Sequence, residues 1–268
     1  MRAWMAVFAS VLVASIAGAQ TNELPGPLKN VGVDPQLGES LPLDAVFVDD
    51  GGAELRLADL LGDRPLILAP VYYECPMLCT MVMRGITRSL KVMQLEPGAD
   101  FDLVAYSINP ADTPEAALRV KQQHLSEYGK PETADGWRFL TGDASSVQAL
   151  SEAIGYRYQY LEDSGEFAHG AAIVVVTPQG QIASYHLGID YPARDLRLAL
   201  VEASDGSIGT WVDQALLFCY RYDPTVGKYT FAAWTTIRTA GLLTLVAIVW
   251  FFVASVRRDR NPVLAEAK

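Results

Sequence analysis

Between about residues 43 and 203 the chain alternates short apolar runs with stretches whose apolar positions recur every three or four residues. Residues 66–73 (LILAPVYY) are continuously apolar, the pattern of a strand covered on both faces. Leu78, Val82, Ile86, Leu90 and Met93 then fall at helical spacing, with Pro76 in the first turn where proline is tolerated. Residues 45–48 and 54–57, separated by Asp49, Asp50, Gly51 and Gly52, read as a β-hairpin. Further strands are expected at 101–108, 137–141 and 171–177, the last forming a hairpin with 182–186 across Pro178, Gln179 and Gly180. Helices are expected at 113–128, opened by Thr113, Pro114 and Glu115, and at 145–154 and 195–203. Strands alternating with helices predict an α/β domain with a mostly parallel central sheet, an N-terminal hairpin and an antiparallel edge.

Both ends of the chain carry a different pattern. Arg2 precedes an apolar stretch over residues 3–16 followed by Ala17, Gly18 and Ala19, which reads as a signal peptide over 1–19 cut before Gln20. Residues 20–42, rich in Pro and Gly, read as an N-terminal extension without strand or helix. The domain proper is then 43–203, followed by a juxtamembrane segment at 204–238. Residues 239–256 carry no charge and, at ~1.5 Å per residue, reach ~27 Å, close to the hydrocarbon thickness of a bilayer. Arg257, Arg258 and Arg260 follow this stretch and only Arg238 immediately precedes it, which places the 257–268 tail in the cytoplasm. The expectation is a single-pass protein of the inner cell membrane with its domain on the periplasmic side.

Charge narrows the function. The 268 residues hold 21 Lys plus Arg against 31 Asp plus Glu, a net charge of -10, which speaks against a nucleic-acid partner. Residues 20–237 alone hold 15 basic and 29 acidic side chains, so the exported part is strongly anionic. Half of the chain is hydrophobic, enough to build a core.

Candidate chemistry lies at Cys75 and Cys79, four residues apart at a helix start. Their Cα atoms are then ~6 Å apart on one face, a spacing compatible with a disulfide or with two thiolates on one metal ion. A structural disulfide or two buried thiols would be the plain alternatives. Closing so short a loop constrains little of the unfolded chain, and the strand, Cys, Pro, helix context tilts the reading towards redox or metal chemistry. Of the three histidines, His169 stands in an expected loop from about Glu162, just before the strand at 171–177. In a thioredoxin-like sheet that loop approaches the cysteine-bearing helix start. His124 is expected on a solvated helix face and His186 at the end of an edge strand. Met77, Met81 and Met83 are soft sulfurs near the cysteines, expected to pack rather than to bind. Cys219, in the FCYRYDP segment, is expected to be buried.

YYECPMLC at 72–79, SINPADTP at 107–114, WRFLTGD at 137–143 and FAHGAAIVVVTPQG at 167–180 together resemble the SCO1/SenC family of copper-binding proteins, over roughly residues 40–203. The resemblance implies a thioredoxin-like fold, copper as Cu(I) and Cu(II), and Cys75, Cys79 and His169 as its ligands. It implies a role in serving the copper centres of cytochrome c oxidase, with the CuA-bearing subunit as partner and other copper chaperones or thiol reductases as further partners. Ala168 stands where the family usually has Asp, and the expected C-terminal anchor replaces the N-terminal helix of many members. Two thiolates and an imidazole suit both copper oxidation states, although zinc accepts the same donors. A peroxiredoxin reading is weakened by Tyr72 in place of the usual Thr, and a thioredoxin reading by the three residues between the cysteines. Copper delivery, thiol-disulfide exchange through the Cys75 and Cys79 pair, and redox sensing remain the open readings. Under the first, oxidation would release the metal and the segment from Glu162 to Gly170 would be the mobile part.

Overall fold

The computed structural model describes residues 30–75, 78–208, 222–223, 228–229 and 231–259. The expected signal peptide, Pro76, Met77, Cys219 and the end of the tail lie outside the described residues.

A seven-stranded sheet forms the frame. Its strands, in chain order, are β2 (Val46–Asp49), β3 (Glu54–Arg56), β4 (Leu66–Val71), β5 (Asp102–Ser107), β6 (Trp137–Thr141), β9 (Ala172–Val176) and β10 (Ile182–Leu187). Across the sheet the order is β10, β9, β4, β5, β6, β2, β3. Helix α1 (Leu78–Val92) crosses from β4 to β5, and α2 (Pro114–Tyr128) from β5 to β6. Parallel pairing is therefore confined to β4 with β5 and β5 with β6. The expected mostly parallel sheet is corrected to a mixed one, because a hairpin flanks this centre on each side and the inner strand of each, β9 beside β4 and β2 beside β6, also runs antiparallel to its neighbour. Each residue of β4 is buried, as its unbroken apolar run requires.

The helices owe their positions to matching stripes. In α1, Cys79, Val82, Met83, Ile86 and Leu90 are buried, and each such side chain contributes about 1.5–3 kcal/mol when fully withdrawn from water. Gly85 lies on the same helix, where any Cβ would collide with the Ile189 carbonyl oxygen, so glycine permits the close approach of the 188–191 loop. The Thr113 side chain caps α2 by accepting from the Ala116 amide at 3.3 Å. Helices α3 (Ala144–Ala153) and α4 (Ala193–Ser204) complete the domain, α4 packing on β9 and β10 and on α1.

A second, three-stranded sheet joins β1 (Gly32–Val33), β7 (Tyr156–Leu161) and β8 (Glu166–His169) in the order β1, β7, β8. Two expectations are corrected here. The extension contributes a strand at Gly32–Val33, which pairs with Arg157 and Tyr156. The segment expected to be a mobile loop from Glu162 is instead a β-hairpin, turned by residues 162–165 with Gly165 at φ 71°. Tyr156, Tyr158 and Tyr160 alternate along β7, and this period of two is what a paired strand demands.

Helix α5 (Phe231–Asp259) covers the segment expected to span a membrane. Among the described residues no helix is long and apolar enough to cross a membrane. Two short strands, β11 (Tyr222–Asp223) and β12 (Lys228–Tyr229), pair antiparallel before it.

The position of His124 is also corrected. Its side chain is 2 % exposed, because α2 turns Ala117, His124 and Tyr128 towards the sheet at intervals of seven and four residues. Its Nδ1 is 3.4 Å from a Glu127 carboxylate oxygen. Burial pushes the imidazole below its ordinary value of 6.5 and outweighs the opposing pull of Glu127. The unfolded chain consequently binds the His124 proton at a higher pH than the folded chain. This contribution to stability is complete above about pH 6.5 and is lost as pH falls towards the lowered folded value. Urea unfolding at a series of pH values should show stability falling on acidification below 6.5, with a shallower fall in His124→Gln. An unchanged slope in that variant would contradict the assignment.

Candidate metal centre

The cysteines are presented by the turn that leaves β4. Tyr72 and Tyr73 remain buried after the strand ends, and Tyr73 fixes the turn at three points. Its amide donates to Asp112 Oδ2 at 2.6 Å, and its hydroxyl lies 2.7 Å from the Leu140 carbonyl and 3.2 Å from that of Ala105. Asp112 also accepts from the Ser107 hydroxyl at 2.6 Å and the Asn109 side-chain amide at 2.9 Å. The SINPADTP segment thus ties the end of β5 to the turn that carries Cys75. Sequence reading had assigned no role to Asp112; its signal was an acid in a polar turn directly following a buried strand.

Cys75 is half-buried and Cys79 is 4 % exposed, and the two are separate thiols. The Cys79 amide donates to Cys75 Sγ at 3.4 Å, and the Tyr72 amide donates to Cys79 Sγ at 3.3 Å. These amides belong to the strand end and the first turn of α1, where donors without helical partners are available. Burial raises the Cys79 thiol well above its ordinary value, reinforced by its hydrogen bond with Cys75 and the Cys75 charge. At Cys79, burial outweighs the preference for thiolate that a helix N-terminus supplies. A metal binding there must displace the thiol proton, which makes binding a proton-releasing event.

His169, the last residue of β8, brings its Nε2 to 3.3 Å from Cys79 Sγ. Both sulfurs and a ring nitrogen of His169 lie within 4.8 Å of one another, and this is a group of three potential metal donors. On the far side of the ring, Nδ1 is 2.9 Å from the Tyr156 hydroxyl and 2.8 Å from the Gly170 carbonyl. Tyr72 meets the imidazole edge-on at 5.7 Å between centroids, and Phe167 packs at 5.7 Å against Tyr72. The site is therefore bounded by aromatic rings on the β8 side while Cys75 keeps partial access to solvent.

The structure brings Cys75, Cys79 and His169 together and leaves the other histidines apart. His124 is buried in α2 and His186 lies on β10, an edge strand as expected. Met83 is buried at 1 % and Met81 is 39 % exposed. Hydropathy marks no strand at residues 156–161, and Tyr156 is therefore not among the residues expected at the site. The Tyr-x-Tyr-x-Tyr alternation and the Asp163, Ser164, Gly165 turn are the signals that would have found it.

A mixed sheet with a Cys-x-x-x-Cys helix start and a histidine beside the strand preceding the terminal hairpin defines a thioredoxin-like protein with a soft-donor cluster. The SCO1/SenC family model matches residues 40–197, and the chain belongs to the SCO1/SenC family. Among solved structures, a candidate electron transfer protein from Aquifex aeolicus VF5 is 28 % identical, with a TM-score of 0.56 over 64 % of this chain and 96 % of that one. Arabidopsis thaliana ScoI with copper bound is 17 % identical at a TM-score of 0.50, covering 64 % of this chain and 99 % of its own. A SCO1/SenC family lipoprotein from Bacillus anthracis str. Ames is 19 % identical at 0.50, covering 68 % and 99 %. The last two share the fold. No curated protein matches the chain.

Proposed function

We propose that this protein is a membrane-tethered copper chaperone that delivers copper to the CuA centre of a haem-copper oxidase during its assembly. The observation that carries the reading is the convergence of Cys75, Cys79 and His169 within 4.8 Å. Thiolates favour Cu(I), and the imidazole extends the donor set to Cu(II). Half-exposure of Cys75 beside a buried Cys79 supports transfer, because an incoming acceptor ligand can reach the metal from the Cys75 side. The oxidase as partner rests on the family resemblance. Tethering is supported by the exposed apolar side chains of α5, among them Leu242, Leu243, Val246, Trp250 and Phe252, and by the arginines that follow them. The same charge asymmetry is what supports a periplasmic location for the domain.

The proximity of the two thiols favours a second reading, a dithiol reductant. In that case Cys75 and Cys79 give two electrons to an acceptor disulfide, which becomes two thiols, and form a disulfide with each other. The imidazole separates the two readings. The full chain in detergent should bind one copper, Cu(II) should give a sulfur-to-copper charge-transfer band, and Cys75→Ser and His169→Ala should each lose stable Cu(II) binding. Undiminished binding in Cys75→Ser would place the site elsewhere. Cu(II) binding lost in His169→Ala supports the chaperone reading, whereas a parent that holds no copper stably while it and His169→Ala reduce disulfides equally would favour the reductant.

Topology has its own test. A reporter fused after Lys268 should be active only in the cytoplasm, and activity on the outer side would overturn both the orientation and the delivery role.

A further inference from the structure

We propose that Tyr156 is the positioning residue of the His169 donor: its hydroxyl, together with the Gly170 carbonyl, holds the imidazole with its proton on Nδ1 and its Nε2 lone pair turned to the cysteines. The Tyr156 hydroxyl lies 2.6 Å from the Gly170 carbonyl oxygen and 2.9 Å from His169 Nδ1, while Nδ1 is itself 2.8 Å from that carbonyl. A carbonyl only accepts, and the hydroxyl has a single proton, which it donates to Gly170. Both neighbours of Nδ1 therefore accept, and Nδ1 must donate. A neutral imidazole carries one N–H, so Nε2 is left as the lone-pair nitrogen, 3.3 Å from Cys79 Sγ.

The hydroxyl can hold this position because the backbone beneath it is fixed. Tyr156 is 3 % exposed. Gly155, just before it, has φ 61°, and any Cβ there would collide with the Asp34 carbonyl oxygen. The Asp34 amide donates to the Gly155 carbonyl at 2.8 Å, and Val33 pairs with Tyr156. Strand β1, from the extension, thus clamps the start of β7 and with it the phenol. The Ala168 side chain offers the ring no acceptor, and among the described residues the hydrogen-bond partners of Nδ1 are Tyr156 and Gly170.

The effect on copper affinity rests on the copper-binding reading, whereas the tautomer does not. Loss of an outer partner of a ligating histidine typically costs 10–100-fold in metal affinity. In the full chain labelled with 15N at histidine, the metal-free parent should show His169 as the Nδ1–H form, with that proton protected from exchange. Tyr156→Phe, which keeps the ring, should lose the protection and bind Cu(II) about 10-fold more weakly. Tyr160→Phe, at an exposed position of the same strand, should match the parent. In a His169→Ala background, adding Tyr156→Phe should change the residual Cu(I) affinity of the two thiolates no further, because the hydroxyl acts through the imidazole. An Nε2–H form in the parent, an unchanged exchange rate and affinity in Tyr156→Phe, or an equal further loss in the His169→Ala background would overturn the proposal. If the parent binds no copper at all, the copper reading falls and the tautomer measurement still decides the role of Tyr156.

Discussion

The approach of the half-buried His169 imidazole to the buried Cys79 thiol at 3.3 Å joins segments 90 residues apart. A buried thiol needs a hydrogen-bonding or metal partner, and for Cys79 the His169 ring nitrogen supplies it. For the two to meet, β4 must end beside β9 and the β7–β8 hairpin must fold back over that junction. The antiparallel pairing of β4 with β9 supplies the first condition, and the pairing of Tyr158 with His169 supplies the second. Much of the remaining architecture serves these two placements: the Tyr73 anchors hold the cysteine turn, and β1 holds the base of the hairpin.

Where burial alone dictates an element, the amino-acid pattern was sufficient. The continuous apolar run of β4, the cap at Thr113 and the Trp137–Thr141 strand are decided by local chemistry and are found where expected. Elements that depend on pairing partners were harder to read. Residues 156–169 are half-exposed and rich in polar side chains, so hydropathy does not mark them, and only the alternation of tyrosines betrays the strand. Gly32–Val33 is too short to carry a pattern of its own and becomes a strand because β7 offers it an edge. His124 was misplaced because a histidine counts as polar, whereas its position on α2 follows the spacing of Ala117 and Tyr128. The donor triad was legible through family resemblance, but the groups that orient it, Tyr156 and Asp112, come from geometry.

Chemically, the site joins a protected half to an accessible one. Cys79 is buried, whereas Cys75 and His169 are half-buried, the imidazole resting against Tyr72 and Tyr156. Because the buried thiol keeps its proton without a metal, binding is coupled to proton release, and joining the two sulfurs in a disulfide would remove two of three donors at once. One arrangement can therefore hold copper in the reduced state and surrender it on oxidation, which makes an external reductant part of the proposed delivery cycle.

X-ray absorption at the copper edge of the Cu(I)-loaded full chain tests the central claim most directly, since it reads the donor atoms without reference to activity. The account predicts a single copper environment with two sulfur scatterers and one imidazole nitrogen, the imidazole contribution vanishing in His169→Ala. A shell of nitrogen and oxygen alone, or an imidazole contribution that persists in His169→Ala, would contradict it.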